Sequence, residues 1–199
     1  MNHYFTDNDN LRSKLRTVLY SYQNHKFSFY TDIGVFSKAK IDEGSKTLVE
    51  TYFIHGRKNI KVLDAGCGYG FVGITLTKIM NCDVDFIDIS KRAVHLCKMN
   101  LKENKVTGNV LISNVYENVK DKYDLIIVNP PIKAGKQVYL SFINEAFNHL
   151  NDDGELWFVM RTNHGVKTVY KNLTKTYKAE ILEKNRGFYV VFCKNQLTH

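Results

Sequence analysis

Hydrophobic and polar positions follow two different periods along the chain. Between Lys26 and Thr31 (KFSFYT) apolar and polar residues alternate, which predicts a short strand; a turn at Gly34 and a second short strand at Val35–Phe36 follow. Asp42 then stands as a helix N-cap ahead of Leu48, Val49, Tyr52 and Phe53, whose spacing predicts a helix over Glu43–Ile54. From Ile60 onward, short apolar runs take turns with helical patterns. They predict strands at Ile60–Asp64, Val84–Asp88, Asn109–Ser113, Tyr123–Val128 and Glu155–Met160, with helices at Phe71–Met80, Lys91–Glu103 and Lys136–Leu150. Runs such as VLDA and DLIIV show no polar alternation, as expected of strands buried on both faces. Strand and helix in turn imply right-handed crossovers and a parallel, doubly wound sheet.

The last part of the chain breaks that rhythm. After a helix at about His164–Thr176, strand patterns at Lys178–Glu183 and Gly187–Cys193 are separated only by Lys184, Asn185 and Arg186. Parallel neighbours need a long crossover, so these two strands form an antiparallel hairpin. The expected fold is therefore α/β, a mostly parallel seven-stranded sheet with an antiparallel C-terminal hairpin and helices on both faces.

Composition changes this picture little. A chain of 199 residues, 44% hydrophobic and 24% charged, suits one globular domain. Within it, residues 1–56 are expected to form a hairpin and helix covering a ligand site, and residues 57–199 the core. No apolar run approaches the length of a membrane span, and the polar N-terminus does not read as a signal peptide. Cys67, Cys82, Cys97 and Cys193 include no CxxC pair and no metal-ligand spacing, so reduced, buried thiols in the cytoplasm and no metal are expected. The net charge of +8 suits a polyanionic partner, and equally suits a solvated lysine-rich surface. A monomer is the simpler expectation.

The first parallel strand ends in Asp64-Ala65-Gly66-Cys67-Gly68-Tyr69-Gly70. Glycines there allow a tight turn and close approach of a ligand, and the following helix aims free N–H groups at it. Asp88, closing the second strand, can hold both hydroxyls of a ribose. Residues 68–73 also match G-x-G-x-x-G, so a nicotinamide dinucleotide fits this stretch as well. Asp64 before the glycines favours a cationic ligand such as S-adenosylmethionine over a pyrophosphate. Asn114, after the third strand, reads either as a turn residue or as an acceptor for an adenine amine.

The fourth strand ends in Asn129-Pro130-Pro131-Ile132. Two prolines stop the sheet and fix the backbone. The Asn129 amide oxygen and the Pro130 carbonyl can accept the two N–H bonds of an exocyclic amine, whose lone pair is otherwise delocalised into its ring. Its lone pair would then point at a methyl donor, and transfer would rest on positioning and charge placement without a metal or a strong base. A dehydrogenase has no use for that device or for the antiparallel tail, whereas a class I methyltransferase with Asn-Pro-Pro beside its cofactor uses both.

Taken together, Gly34–Ser45, Val62–Ile74, Asp88–Asn100, Asp124–Lys136 and Arg186–Lys194 make the chain resemble the methyltransferase-small domain family, typified by small-subunit ribosomal RNA guanine-N2 methyltransferases. The resemblance implies a Rossmann-like class I methyltransferase that uses S-adenosylmethionine. It implies that Phe36, Ser37 and Asp42 through Ser45, Gly44 included, pack over the cofactor. It implies further that Asp64, Gly66, Gly68, Gly70, Asp88, Ile89 and Asn129 bind cofactor or target, with Asn129, Pro130, Pro131 and Ile132 as the catalytic motif. The chain departs from the pattern twice. Ile132 stands where amino-methyltransferases commonly carry an aromatic ring that stacks on the target base, and the larger ribosomal RNA enzymes carry an additional N-terminal domain.

Lys133, Lys136, Arg161 and Lys167 follow the carboxyl ends of strands four and five, where an open α/β sheet places its ligands, and are the candidate RNA-facing residues. The expected partner is ribosomal RNA or the small ribosomal subunit, and no membrane. An acceptor at adenine N6 or at a protein glutamine amide, and a non-catalytic RNA-binding relative, are the competing readings.

Overall fold

The computed structural model describes residues 14–32 and 40–197. Two antiparallel strands, β1 (Arg16–Tyr22) and β2 (His25–Thr31), precede helix α1 (Glu43–His55). The core then runs β3 (Lys61–Ala65), α2 (Phe71–Met80), β4 (Asp83–Asp88), α3 (Lys91–Glu103), β5 (Asn109–Ile112), β6 (Tyr123–Val128), α4 (Lys136–Asn144), β7 (Leu150–Arg161), α5 (Val166–Leu173), β8 (Tyr177–Asn185) and β9 (Phe188–Leu197). The seven-stranded sheet has the order β5-β4-β3-β6-β7-β9-β8. Strands β3 to β7 pair in parallel, and β9 enters antiparallel between β7 and β8. This is the Rossmann-like methyltransferase arrangement read from the sequence.

Alternation along the central strands explains the unbroken apolar runs. On β6, Leu125 and Ile127 pack with α1, α2 and α3 on one face. Ile126 and Val128 pack with α4 and α5 on the other. Leu125, Ile126, Ile127 and Val128 therefore lose their water on folding, worth roughly 1.5–3 kcal/mol per large aliphatic side chain. Helix α1 caps one end of the first layer, with the buried Tyr52 ring edge-on to Trp157 at 4.8 Å between centroids.

The N-terminal strands dock through aromatic rings and two asparagines. Phe29 meets Tyr69 and Phe71 at 5.8 and 5.5 Å. Asn100, fully buried on α3, accepts from Tyr30 N–H at 2.7 Å and donates to Tyr30 C=O at 2.9 Å and Tyr69 C=O at 2.8 Å. One turn on, Asn104 repeats the pairing with Ser28 N–H at 3.2 Å and Ser28 C=O at 2.8 Å. Two amides four residues apart lie on one helix face, and here they satisfy the outer edge of β2 as a third strand would.

The structure corrects several expected boundaries. The partner of β2 is β1, whose pattern is hidden by Leu19, an apolar residue 75% exposed on the outward face. The expected Gly34 turn and Val35–Phe36 strand lie outside the described residues. Helix α4 ends at Asn144 and passes into a 3-10 turn, so the run expected to reach Leu150 gives way to a longer β7. The helix expected from His164 begins at Val166, after Gly165 at φ 84°. The closing hairpin turns on two residues, Arg186 (φ 46°) and Gly187 (φ 80°), rather than three. Consecutive positive φ values match the twist of paired strands, and an arginine in that position disguised the turn.

Among the described residues no helix is long and apolar enough to cross a membrane, and no cluster of His, Cys, Asp and Glu could hold a metal. All four cysteines are free and buried.

Candidate active site

The loop after β3 and the end of β4 build one half of the site. Gly66, Gly68 and Gly70 all take positive φ, at 71°, 56° and 89°. Gly68 has no atom within 4 Å of where a Cβ would stand, so the loop presents open backbone on that side. Its N–H donates to Asp88 Oδ2 at 2.9 Å, while Asp88 Oδ1 accepts from Ser90 N–H at 2.9 Å. Each oxygen keeps a further lone pair for a ligand hydroxyl. Burial raises the Asp88 pKa, against the pull of the Ser90 and Gly68 N–H groups.

Asp64 is 2% exposed and accepts from Gly73 N–H at 2.8 Å, in the first turn of α2. Its carboxyl is pushed up to about 7, first by burial and then by the charge of Asp88, with the Gly73 N–H opposing. A cation in the cleft would reverse that shift. These groups fit S-adenosylmethionine: open backbone at Gly68, a carboxylate with spare lone pairs at Asp88, and a buried acid at Asp64 that a cation would relieve.

The other half is built around Asn129. Its amide nitrogen donates to Asp42 Oδ2 and to Ser45 Oγ, both at 2.9 Å. A carboxylate only accepts, so the amide nitrogen must face Asp42, which fixes the amide orientation. With both N–H groups engaged, Oδ1 turns away and takes no hydrogen bond among the described residues. Asn129 itself is half-buried. Asp42 Oδ2 accepts from Ser45 N–H as well, at 2.8 Å, so the N-cap of α1 is also the clamp on Asn129.

Beyond Asn129, Pro131 C=O accepts from Ala134 N–H at 2.9 Å in a 3-10 turn over Ile132–Ala134. The Pro130 carbonyl takes no hydrogen bond among the described residues and stands beside the Asn129 amide in the chain. Two acceptors on successive residues are the arrangement that a primary amine on a ring can meet.

Of the remaining candidates, Phe36 and Ser37 lie outside the described residues. Ile89 follows Asp88 and is half-buried. Asn114 is exposed, and its amide nitrogen donates to Glu117 Oε1 at 2.8 Å. Lys133, Lys136, Arg161 and Lys167 are exposed at the carboxyl ends of β6 and β7. Two residues that sequence reasoning passed over also converge here. Phe188 sits against Gly44, where a Cβ would stand 2.9 Å from the ring. Tyr69 feels the charge of Asp42, which adds to burial in raising its pKa. The only early signal for Phe188 was its place in the matching RGFYVV stretch.

The profile of the methyltransferase small domain family matches residues 26–192. The chain is 32% identical to YbxB of Bacillus subtilis over 197 residues, covering 96% of this chain and 98% of that protein. It is 40% identical to ribosomal RNA small subunit methyltransferase C of Buchnera aphidicola over 136 residues, 66% of this chain and 39% of that one. Among solved structures it resembles the T. thermophilus 16S rRNA N2 methyltransferase RsmC, in complex with AdoMet and guanosine. The TM-score is 0.83 at 24% identity, covering 94% of this chain and 52% of that one. The chain thus spans nearly all of YbxB and only about 39% and 52% of the lengths of these two methyltransferases.

Proposed function

Since the chain belongs to the methyltransferase small domain family, a family of S-adenosylmethionine-dependent enzymes, we propose that it methylates the exocyclic N2 amine of a guanine in small-subunit ribosomal RNA. The observation that supports this reading most is the orientation of Asn129, whose oxygen is left free by the Asp42 and Ser45 clamp. The named similarity of the RNA methyltransferases above and the net charge of +8 support RNA as the acceptor.

The chain's own groups act by position. Asn129 Oδ1 accepts one N–H of the target amine and the Pro130 carbonyl accepts the other. Holding both hydrogens out of the ring plane withdraws the nitrogen lone pair from the ring and aims it at the cofactor side of the cleft. When bound, S-adenosylmethionine supplies an electrophilic methyl group on its sulfonium, so that the N–C bond forms as the S–C bond breaks. The methylated nitrogen then sheds a proton to water, which explains why the site needs no strong base. Asp88 holds the ribose hydroxyls, and Asp64 places negative charge near the cationic end. Their advantage lies in preorganisation: the acceptors are already fixed when the amine arrives.

The test supplies S-adenosylmethionine labelled in its methyl group together with unmodified small ribosomal subunits, their naked RNA, transfer RNA and a protein extract. Label recovered in RNA as N2-methylguanosine is the expected result. Label at adenine or in protein would move the acceptor, and no label in any of them would overturn the reading.

A further inference from the structure

A base that enters the cleft edge-first toward Asn129 needs a flat surface for its face, and Ile132 offers none. The structure holds a different flat group nearby. The Arg161 guanidinium carbon lies 4.3 Å from the centroid of the Phe188 ring. These two residues pair directly where β7 ends and β9 begins. The ring is 8% exposed and also packs against Gly44, where a Cβ would stand 2.9 Å from Phe188 Cε1 and 3.0 Å from Asp42 Oδ2. Phe188 is therefore wedged between the guanidinium and the turn that clamps Asn129. What remains exposed is the guanidinium.

The assembly is held at its ends. Thr162 N–H donates to Gly187 C=O at 3.0 Å, joining the end of β7 to the hairpin turn. Arg186 reaches Glu43 at 3.5 Å, joining the same turn to the start of α1. Of Lys133, Lys136, Arg161 and Lys167, only Arg161 lies over an aromatic ring among the described residues. The distance also suits a shared base. Val128 pairs with Phe158, so Arg161 lies two residues further along the strands than Asn129, one strand over. At about 3.3 Å per residue and about 4.8 Å between strands, their Cα atoms stand roughly 8 Å apart.

We propose that the Arg161 guanidinium, held over the Phe188 ring, is the stacking platform for the target base, in place of an aromatic residue after Asn-Pro-Pro. A guanidinium plane stacks on nucleobases as an aromatic ring does, and an ammonium does not. The inference rests on the RNA methyltransferase reading above.

The experiment compares the wild-type protein with Arg161→Lys, Arg161→Gln and Phe188→Leu on unmodified small-subunit RNA transcribed in vitro. KM and kcat for methyl transfer, S-adenosylmethionine affinity and melting temperature are measured for each. Arg161→Lys and Arg161→Gln should both raise KM for RNA about tenfold or more, the scale of one lost base stack, with cofactor affinity within twofold of wild type. Phe188→Leu should raise KM in the same direction at unchanged charge. If Arg161→Lys matches the wild type while Arg161→Gln fails, the contact is one of charge and the platform is wrong. If every variant stays within twofold, the platform is also wrong. The same comparison is run on unmodified assembled small subunits, and wild-type protein that labels neither the RNA nor the subunits overturns the functional reading, and the platform with it.

Discussion

The amide nitrogen of Asn129 lies 2.9 Å from Asp42 Oδ2, although 87 positions of chain separate the two residues. Asp42 also caps α1 through Ser45 N–H, so one carboxylate serves a helix end and an amide at the end of β6. The start of α1 is thereby fixed to the Asn-Pro-Pro turn, and the direction in which the Asn129 oxygen faces depends on a residue from the other end of the fold.

Replacing Asn129 with Ala removes the acceptor and leaves the glycine loop intact. Methyl transfer should fall by roughly a hundredfold or more, the scale of losing one preorganised polar group. S-adenosylmethionine affinity, measured by calorimetry, should stay within about twofold. Near-normal turnover in this variant would refute the mechanism.

Asp42→Ser separates the two duties of that carboxylate. Serine caps helices about as well as aspartate, so the melting temperature should barely move. The shorter side chain gives up the Asn129 contact, and kcat should drop about tenfold with KM for RNA less affected. A fall in stability without a fall in kcat would mean that the clamp is structural only.

Asp64 gives a pH dependence whose sign is fixed by its raised pKa. The native carboxyl, raised from 3.8 to about 7, keeps a proton that the unfolded chain releases. This group therefore lowers stability progressively as pH rises from about 4 to about 7, and lowers it no further above that. The cationic cofactor favours the ionised form, so its affinity should weaken as pH drops below about 7, by up to tenfold per unit. Titration calorimetry between pH 5.5 and 8 should show this slope, and Asp64→Asn should flatten it. A wild-type affinity that is constant over the range would detach Asp64 from the cofactor.

Asn100→Ala would strand Tyr69 C=O in a buried position and Tyr30 N–H and C=O in part-buried ones. At about 1–3 kcal/mol for each unsatisfied group, the loss should reach about 3 kcal/mol or more. A melting temperature lower by roughly 10 °C is expected for a chain of this size. A shift of only a degree or two would show that water replaces the amide at no cost.

Much of the site was legible because its residue types are forced locally. Positive φ at Gly66, Gly68 and Gly70 favours glycine, and a buried strand that must stop favours the prolines after Asn129. The layering was legible for a similar reason, since strands buried on both faces leave continuous apolar runs. Contacts between distant segments left no such trace. Nothing in the composition of α1 announces that Asp42 holds Asn129, and Phe188 reads as one more apolar strand residue. The exposed Leu19 concealed β1, because hydrophobicity at that position answers to no core. Arg186 concealed the hairpin turn, since a positive φ there is carried by a residue type that seldom adopts it.

Asn100 touches β2 through Tyr30 and the glycine loop through Tyr69, so the hairpin and the loop share one fastener. A ligand that binds only the folded loop adds about 2.7 kcal/mol to its stability at a hundred times its dissociation constant. Because opening the hairpin must first release Asn100 from Tyr30, part of that gain is felt on the outer edge of the molecule. The rate at which the Tyr30 amide trades its hydrogen for deuterium thus becomes a gauge of cofactor occupancy, read on β2 through Asn100.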